Sequence, residues 1–241
     1  PTTKTDIVIL LITLVVANQK GGVGKTTTAL NLAASLSAAS RKVLLIDLDA
    51  QGNSTTGTGE EKNQGEISLI DVLVDNDSAL EKVVEETRYK FDLIPSSTDL
   101  ISAEIELSSL PNPTAILREK LKNIVKAYDY TVIDCPPSLG VLSVSALRAA
   151  SKVLIPLQCE YYSLEGLASM NKTINEINNA TGEKIEISGI LRTMYDSRIR
   201  LSREVSQELE EHFSEQLCDT VIPRNVKLAE APSFGMPALY Y

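Results

Sequence analysis

A short glycine-rich stretch at residues 20–27, KGGVGKTT, contains the residue types that bind phosphate groups in proteins. Glycine permits tight turns in which successive backbone N–H groups converge on phosphate oxygens, and a helix that follows points its positive end at the same place. The residues that we predict to form this phosphate-binding loop are Lys20, Gly21, Gly22, Val23, Gly24, Lys25, Thr26 and Thr27.

Three side chains at the end of the loop have distinct predicted roles. Lys25 would place a positive charge beside the β- and γ-phosphates of a nucleotide, and Thr26 would offer its hydroxyl to Mg²⁺. Thr27 is placed to reach a further phosphate. With an apolar run before the loop and a helical pattern after it, the stretch predicts a nucleotide-binding loop of the P-loop type.

The loop departs from the usual pattern G-x-x-x-x-G-K-[ST] at one position, because Gln19 stands where the first glycine is expected. The next residue, Lys20, is a second lysine that an ordinary loop of this type does not need. One interpretation is a solvated surface lysine. The other is a cation that reaches the phosphates held by a facing subunit and neutralises charge during phosphoryl transfer, so that hydrolysis would depend on dimerisation.

Three aspartates end apolar runs and are candidates for magnesium binding and hydrolysis. Asp47 and Asp49 end the run KVLLIDLD, and Asp134 ends TVID. Ligands of open parallel sheets bind at the carboxyl ends of the strands. We therefore predict that Asp47 and Asp134 lie near the metal, Asp134 through water, and that Asp49 leans into the site. An aspartate at a strand end can also simply form a turn.

The elements that would position these residues follow from the hydrophobic pattern. An apolar run from Ile7 to Ala17, interrupted at Thr13, predicts a buried parallel strand, with a signal-peptide core as the alternative. The loop is followed by a helix, and the run at 42–49 predicts the next strand, which completes a βαβ unit. The apolar face of that helix consists of Ala29, Leu32, Ala33 and Leu36.

Strand and helix patterns continue to alternate along the chain. Further strands are predicted at 91–96, at 130–138 up to the prolines, and at 152–157, 185–191 and 217–222; helices are predicted at 98–109, at 114–127, from about 163, and at 201–213. Region 57–90, rich in acids and with several glycines, is predicted to be an irregular surface excursion. The resulting fold class is α/β, a mostly parallel twisted sheet with helices on both faces, in a single domain over residues 1–241.

The bulk composition limits the function classes. The chain has 241 residues, a net charge of −9 and 43% hydrophobic residues, as an ordinary soluble domain has. The net charge argues against a surface coated with basic residues, so any DNA site must be a local patch. Three scattered cysteines give neither a disulfide framework nor a zinc motif and favour a reducing cytoplasm. The opening apolar run is too short to span a membrane.

Two groups of basic residues are candidates for such a DNA patch, although charge runs of this kind are often plain solvated surface. The first group is opposed within its span only by Asp196, and the second lies in a later loop. The candidate DNA contacts are Arg192, Arg198, Arg200 and Arg203 in the first group, and Arg224 and Lys227 in the second.

Five separated motifs together resemble a known family. KGGVGKTT, LLIDLDAQGNSTTG, VIDCPPSLG, QCEYYSLEGL and VIPRNVKLAEAPSFGMPA are similar to the ParA (Soj-like) partition ATPases of the deviant-Walker P-loop group, whose relatives include MinD; the resemblance covers about residues 14–239. It implies ATP and Mg²⁺ as cofactors, a homodimer that sandwiches ATP, and non-specific DNA binding by that dimer at the nucleoid. It further implies that a ParB-like partner triggers hydrolysis and release, with no membrane involved.

The resemblance also implies roles for single residues. Lys20 would act across the dimer, and Gly21 would permit close approach of the subunits. Asp49 would be the acid needed for hydrolysis, and Asp134 the Walker-B acid. The residues expected to line the adenine are Pro223 and Asn225.

Two departures from the family pattern leave alternatives open. Ala50 stands where relatives commonly have proline, which could loosen the turn after Asp49, and the sequence ends at Tyr241, before the final helix that the family usually has. One alternative is a MinD-like positioning ATPase that acts on a membrane surface or a protein cargo, although the membrane role requires a basic amphipathic tail. The other is a scaffold that binds nucleotide without hydrolysing it.

Overall fold

A single sheet of eight strands organises the protein, in the computed structural model that describes residues 11–61, 67–75 and 77–241. The strands are β1 (Ile12–Val16), β2 (Val43–Asp47), β3 (Glu85–Glu86), β4 (Asp92–Ile94), β5 (Tyr130–Asp134), β6 (Lys152–Gln158), β7 (Glu186–Tyr195) and β8 (Leu217–Pro223). They lie in the order β3-β4-β2-β5-β1-β6-β7-β8. The β3–β4 pairing is antiparallel, and the others are parallel.

Helices connect the strands and cover the sheet. They are α1 (Lys25–Ala38), α2 (Asn53–Gly57), α3 (Leu69–Val74), α4 (Leu100–Ser108), α5 (Ile116–Ile124), α6 (Val141–Ala149), α7 (Ser163–Thr181), α8 (Arg200–His212) and α9 (Val226–Glu230), with short 3₁₀ turns at Leu80–Val83, Pro113–Ala115, Val125–Ala127 and Ala231–Phe234. Crossover helices are what allow parallel strands to pair. Across the described ranges, no helix combines the length and the apolar character that crossing a membrane requires.

Both faces of the sheet are buried, because side chains alternate between the faces along each strand. In β2, Leu44 and Ile46 belong to one hydrophobic core, whereas Val43 and Leu45 belong to the other. A strand covered on both faces has a continuous apolar sequence, as in VLLI. The predicted α/β class, a mostly parallel sheet covered by helices, is confirmed.

Three segments of the structure differ in extent or kind from the elements predicted by the sequence. β1 begins at Ile12, and residues 7–10 of the predicted first strand lie outside the described residues. β5 ends at Asp134, four residues before the predicted end at 138. The prediction of an irregular surface excursion at 57–90 is wrong for α3, which buries Leu69, Ile70, Val72 and Leu73 in the core. Ser68 and Asp71 form a capping box at the start of α3, which buries apolar side chains behind it.

The carboxyl ends of β1, β2 and β5 lie side by side, since β5 pairs with both of the other strands. Asp47 and Asp134 are directly opposite each other in the register of β2 and β5. The glycine-rich loop leaves β1 at the same edge. The fold therefore brings the predicted phosphate loop and two of the predicted acids together.

Candidate nucleotide-binding site

The glycine-rich loop joins β1 to α1 and requires two of its glycines. Gly22 and Gly24 have φ of 74° and 87°, in the left-handed region that favours glycine. Gly24 directly precedes α1, whose first residue is Lys25. The first N–H groups of a helix have no acceptor within it, so the start of α1 can donate them to phosphate oxygens.

Two residues outside the predicted loop hold it on the sheet. Asn18, only 8% exposed, donates through Nδ2 to the Pro156 carbonyl (2.8 Å) and accepts from the Lys20 N–H (2.9 Å). Thr193 Oγ1 donates to the Val23 carbonyl at 2.8 Å. Neither residue is predicted from the sequence. Thr193 is 170 positions from its partner, and no local pattern links such distant residues.

The two lysines of the loop point to different places. The Lys25 side chain turns back into the loop, where its ammonium donates to the Lys20 carbonyl (3.0 Å). Burial lowers the pKa of Lys25, and the negative charge of Asp134 is the first influence that opposes this. Lys20 Nζ instead pairs with Glu160 Oε2 at 2.5 Å, and the Lys20 side chain is 39% exposed. Lys25 can thus serve a phosphate held by its own loop, whereas Lys20 lies at the exterior.

Asp47 is fully buried and shapes the segment that follows β2. Its Oδ2 accepts hydrogen bonds from the N–H and Oγ1 of Thr55 (both 2.8 Å), and its Oδ1 accepts one from the Asp49 N–H (3.2 Å). Burial raises the pKa of Asp47 to about 6, although the bonds from Thr55 oppose the rise. Both oxygens are engaged by the chain itself, so the predicted place of Asp47 near a metal stays a prediction.

Asp134 offers the carboxylate best suited to a metal. Its Oδ2 accepts from Ser54 Oγ (2.7 Å), whereas its Oδ1 is buried without a hydrogen-bond partner in the described part of the chain. Burial and then the charge of Asp47 raise the pKa of Asp134 to about 7, while hydrogen bonds from the Ser54 and Thr26 hydroxyls oppose the rise. A buried carboxylate oxygen without a donor, near the Thr26 hydroxyl, fits Mg²⁺ or one of its waters.

Asp49 lies on the loop after β2 and is tied to the neighbouring strand. Its carboxylate accepts from the Gln51 N–H at 2.9 Å. Ser96, which follows β4, donates through Oγ to the Asp49 carbonyl (2.6 Å) and through its N–H to Thr55 Oγ1 (2.9 Å). Ser96 is not predicted from the sequence, because a serine after a strand forms no recognisable pattern by itself.

A cavity of about 320 Å³ adjoins the loop on the side of β8 and α9. Its lining includes Gly24, Thr27, Pro223 and Asn225, so the chain brings the IPRN segment next to the phosphate loop. Asn225 Oδ1 accepts from the Lys227 N–H (2.9 Å) and caps α9. This position is compatible with adenine contacts by Pro223 and Asn225, which stay a prediction.

Arg192 is not an exposed DNA contact. It lies in β7 with its side chain 9% exposed, and Nη1 donates to Ser206 Oγ and Glu210 Oε1 (both 2.7 Å). The prediction for this residue is wrong. The alternation of β7 turns its guanidinium towards α8, where Ser206 and Glu210 bind Nη1.

The other predicted DNA contacts are exposed but mostly engaged with the chain itself. Arg198 pairs with Asp196 (2.7 Å) and Arg200 with Glu204 (2.6 Å). Their side chains are 88% and 85% exposed, so the pairs are solvated. Arg203 donates to the Ser197 carbonyl. The carboxylates beside Arg198 and Arg200 reduce the positive potential that a DNA backbone would meet. The two later candidates, Arg224 and Lys227, are exposed near the cavity beside the loop.

Comparison with known proteins agrees with the geometry of the site. A family model described as an AAA domain matches residues 12–187. The chain is 46% identical to the chromosome partitioning protein ParA of Caulobacter vibrioides over 95% of this chain and 86% of that protein. It is 43% identical to the sporulation initiation inhibitor protein Soj of Bacillus subtilis, over 95% and 90%.

A solved structure shows the same architecture with ligands. Cobyrinic acid a,c-diamide synthase from Mycobacterium smegmatis, with bound ATP analog and magnesium, is similar at a TM-score of 0.82 and 34% identity, which covers 93% of this chain and 92% of that one. The P-loop on β1, the acid that ends β5 and the near full-length similarity to ParA and Soj proteins together show that this chain belongs to the ParA/Soj family of P-loop ATPases.

Proposed function

We propose that the protein is a partition ATPase that acts in chromosome or plasmid segregation. It binds ATP with Mg²⁺, forms a homodimer around the nucleotide, and binds DNA at the nucleoid without sequence preference in that state. A ParB-like partner stimulates hydrolysis and thereby releases the dimer from DNA. The observation that carries the proposal is that the Lys20 ammonium points out of the phosphate loop, to Glu160, while the Lys25 ammonium points into it.

The residues around the loop have the chemistry that ATP hydrolysis needs. Backbone N–H groups and Lys25 would hold the phosphates, and Thr26 with Asp134 would hold Mg²⁺. Bound magnesium supplies positive charge that neutralises the phosphate oxygens during transfer. Asp49, on the loop that Ser96 ties to β4, would orient the attacking water.

Lys20 supports the homodimer because its ammonium is directed away from the loop that its carbonyl helps to form. Gly21 supports it independently. Among the described residues other than its two chain neighbours, a Cβ at Gly21 would meet no atom within 4 Å, and the φ of Gly21 lies outside the left-handed region. The described part of one chain therefore does not demand glycine here, whereas close approach of a second copy would.

The dimer is tested by light scattering with ATP and with ADP. The wild type should form dimers with ATP only, and Lys20→Ala should bind nucleotide but stay monomeric. Lys152→Ala is a matched control, since Lys152 is also 39% exposed and also paired with a glutamate, Glu186, but lies at the opposite edge of the sheet. Dimers of equal stability in Lys20→Ala and wild type would overturn the role of Lys20.

The DNA step is tested by binding to a duplex of arbitrary sequence at several salt concentrations. We expect tighter binding with ATP than with ADP, because a dimer doubles the number of phosphates that basic residues neutralise. Equal binding in both states would contradict the partition function. Co-sedimentation with anionic liposomes, in place of DNA, would indicate the membrane-surface alternative.

A further inference from the structure

Two adjacent hydroxyls of α2 hold the two buried aspartates at the carboxyl edge of the sheet. Ser54 Oγ donates to Asp134 Oδ2 at 2.7 Å, and Thr55 Oγ1 donates to Asp47 Oδ2 at 2.8 Å. All four residues are fully buried. Thr55 thus contacts the acid that ends β2, and Ser54 contacts the acid that ends β5.

The two acids differ in the oxygen atoms that remain available. Asp47 accepts from Thr55 through one oxygen and from the Asp49 N–H through the other, so the chain itself engages both. Asp134 accepts from Ser54 through Oδ2, and its Oδ1 has no hydrogen-bond partner among the described residues. Ser54 therefore binds one oxygen of the carboxylate whose other oxygen is available for Mg²⁺.

A hydrogen bond to Oδ2 sets the direction of Oδ1. The last torsion of an aspartate side chain joins a tetrahedral carbon to a planar one, and its preferences are broad. The Asp134 carboxylate has no strongly preferred orientation of its own for this reason. An ionised carboxylate only accepts hydrogen bonds, so the single hydroxyl proton of Ser54 is donated to it. With Oδ2 held, the lone pairs of Oδ1 keep one direction.

The Ser54 hydroxyl is itself held in place by the packing of α2. A Cβ added at Gly57, the last residue of α2, would lie 2.6 Å from Leu30 Cδ2 of α1, so the two helices are in close contact there. The N–H and the hydroxyl of Thr55 both bind Asp47. Contacts on either side of Ser54 therefore fix the turn that carries it, next to the helix that follows the phosphate loop.

Burial makes the Ser54 hydroxyl hard to replace. A buried charged group that loses its donor retains the cost of the missing hydrogen bond, because water does not reach it. Without the hydroxyl, the Asp134 carboxylate can reduce that cost by turning towards Thr26, whose hydroxyl also lies near it. Such a turn would change the oxygen that faces the metal.

We propose that Ser54 is a positioning residue for Mg²⁺, which directs Asp134 Oδ1 to the metal by binding Oδ2. The inference rests on the proposed function, in which Asp134 holds the magnesium that accompanies ATP. Ser54 acts through Asp134 and does not contact the metal itself. Hydrogen-bond partners of metal ligands commonly change metal affinity by about 10- to 100-fold.

The test compares nucleotide affinity with and without metal in Ser54→Ala. Binding of a fluorescent, non-hydrolysable ATP analogue to the full chain is measured by anisotropy with Mg²⁺ and, separately, with EDTA. The ratio of the two affinities measures the coupling between nucleotide and metal. We expect this ratio to be about tenfold smaller in Ser54→Ala than in the wild type. The affinity in EDTA should be unchanged, because the phosphate loop is intact.

Ser145→Ala is the matched control. Ser145 is also a buried serine, only 3% exposed, but its hydroxyl donates to the Val141 carbonyl of its own helix (2.7 Å) and not to a carboxylate. Its ratio of affinities should equal that of the wild type. Urea unfolding should show that both variants are folded under the conditions of the binding experiment.

Two results for Ser54→Ala would overturn the proposal. One is an unchanged ratio of affinities. The other is an equal loss of affinity with Mg²⁺ and with EDTA, since Ser54 would then support the nucleotide site as a whole. A wild type whose affinity does not depend on Mg²⁺ would also overturn it, because Asp134 would not be coupled to a metal. A wild type that binds no ATP analogue in either condition would instead contradict the proposed function.

Discussion

Lys20 Nζ and Glu160 Oε2 are 2.5 Å apart, so the side chain that we expect to serve a second subunit is held by a carboxylate of its own. Glu160 follows β6 and Lys20 follows β1, and these strands are neighbours in the sheet. The ion pair must open before Lys20 can reach a partner's phosphate. We therefore expect Glu160 to oppose the proposed dimerisation.

We predict that Glu160→Gln increases the ATP-dependent dimerisation constant by up to about fivefold. The gain is small because exposed ion pairs contribute at most about 1 kcal/mol, and these side chains are 39% and 53% exposed. Sedimentation or light scattering over a range of ATP-bound protein concentrations measures it. Glu186→Gln, which breaks the similar pair with Lys152 at the far edge, should have no effect. Weaker dimerisation in Glu160→Gln would show that Glu160 positions Lys20 for the partner instead.

Two glycines of one loop should respond differently to alanine. Gly24 has φ of 87°, so Gly24→Ala should destabilise the fold by about 1–2 kcal/mol. Gly21 has no left-handed φ, and beyond its chain neighbours no atom in the described part of the chain lies within 4 Å of an added Cβ, so Gly21→Ala should change stability by less than about 0.5 kcal/mol. The same variant should lose ATP-dependent dimers. Urea unfolding and light scattering separate the two effects, and normal dimers in Gly21→Ala would contradict close approach at this residue.

Thr193→Val should weaken nucleotide binding, although the sequence does not predict that Thr193 contacts the nucleotide. The substitution keeps the shape of the side chain but removes the bond to the Val23 carbonyl, which contributes about 1 kcal/mol to the loop conformation. We expect ATP affinity to fall about fivefold in a calorimetric titration. Thr220→Val, an exposed substitution in β8, is the control and should bind as the wild type does.

The nucleotide-free and metal-free protein should lose stability as the pH rises. The pKa of buried Asp47 is raised to about 6 and that of Asp134 to about 7, above the value of about 4 in an unfolded chain. A raised folded-state pKa stabilises the fold fully below about pH 4, and this contribution is lost as the pH rises through about 6 to 7. Asp47→Asn should make the free energy of unfolding less dependent on pH in this range. An identical pH dependence in the variant and the wild type would count against the raised pKa of Asp47.

Two kinds of feature could be predicted from the sequence: motifs of consecutive residues, and side chains that stand at the end of a predicted strand. The predicted phosphate loop occupies eight consecutive residues, and Asp47 and Asp134 end apolar runs that are typical of buried parallel strands. That these two strands are neighbours is seen only in the structure. Arg192 could not be placed in this way. Its burial depends on Ser206 and Glu210, which reach it only after β7 and α8 have packed.

The sequence of region 57–90, which is predicted to be irregular, contains a signal for the start of a helix. Its acids and glycines favoured a loop, but Ser68 and Asp71 form a capping box directly before an apolar run. The motif predicts a helix start, and the apolar residues behind it needed a core to cover them. The Lys20–Glu160 pair, in contrast, joins residues 140 positions apart, and no pattern of charges along the chain indicates which of the many acids would be its partner.

Ser96 donates hydrogen bonds to the Asp49 carbonyl and to Thr55 Oγ1 in α2, and shortly after Ser96 the chain enters α4, whose Ile101 and Ile105 are 72% and 78% exposed. Any movement of Asp49 during the proposed ATP hydrolysis must either break these bonds or move Ser96 as well. In the second case, a change at the nucleotide would also shift α4 and thereby its two exposed apolar side chains, Ile101 and Ile105, on the surface of the protein.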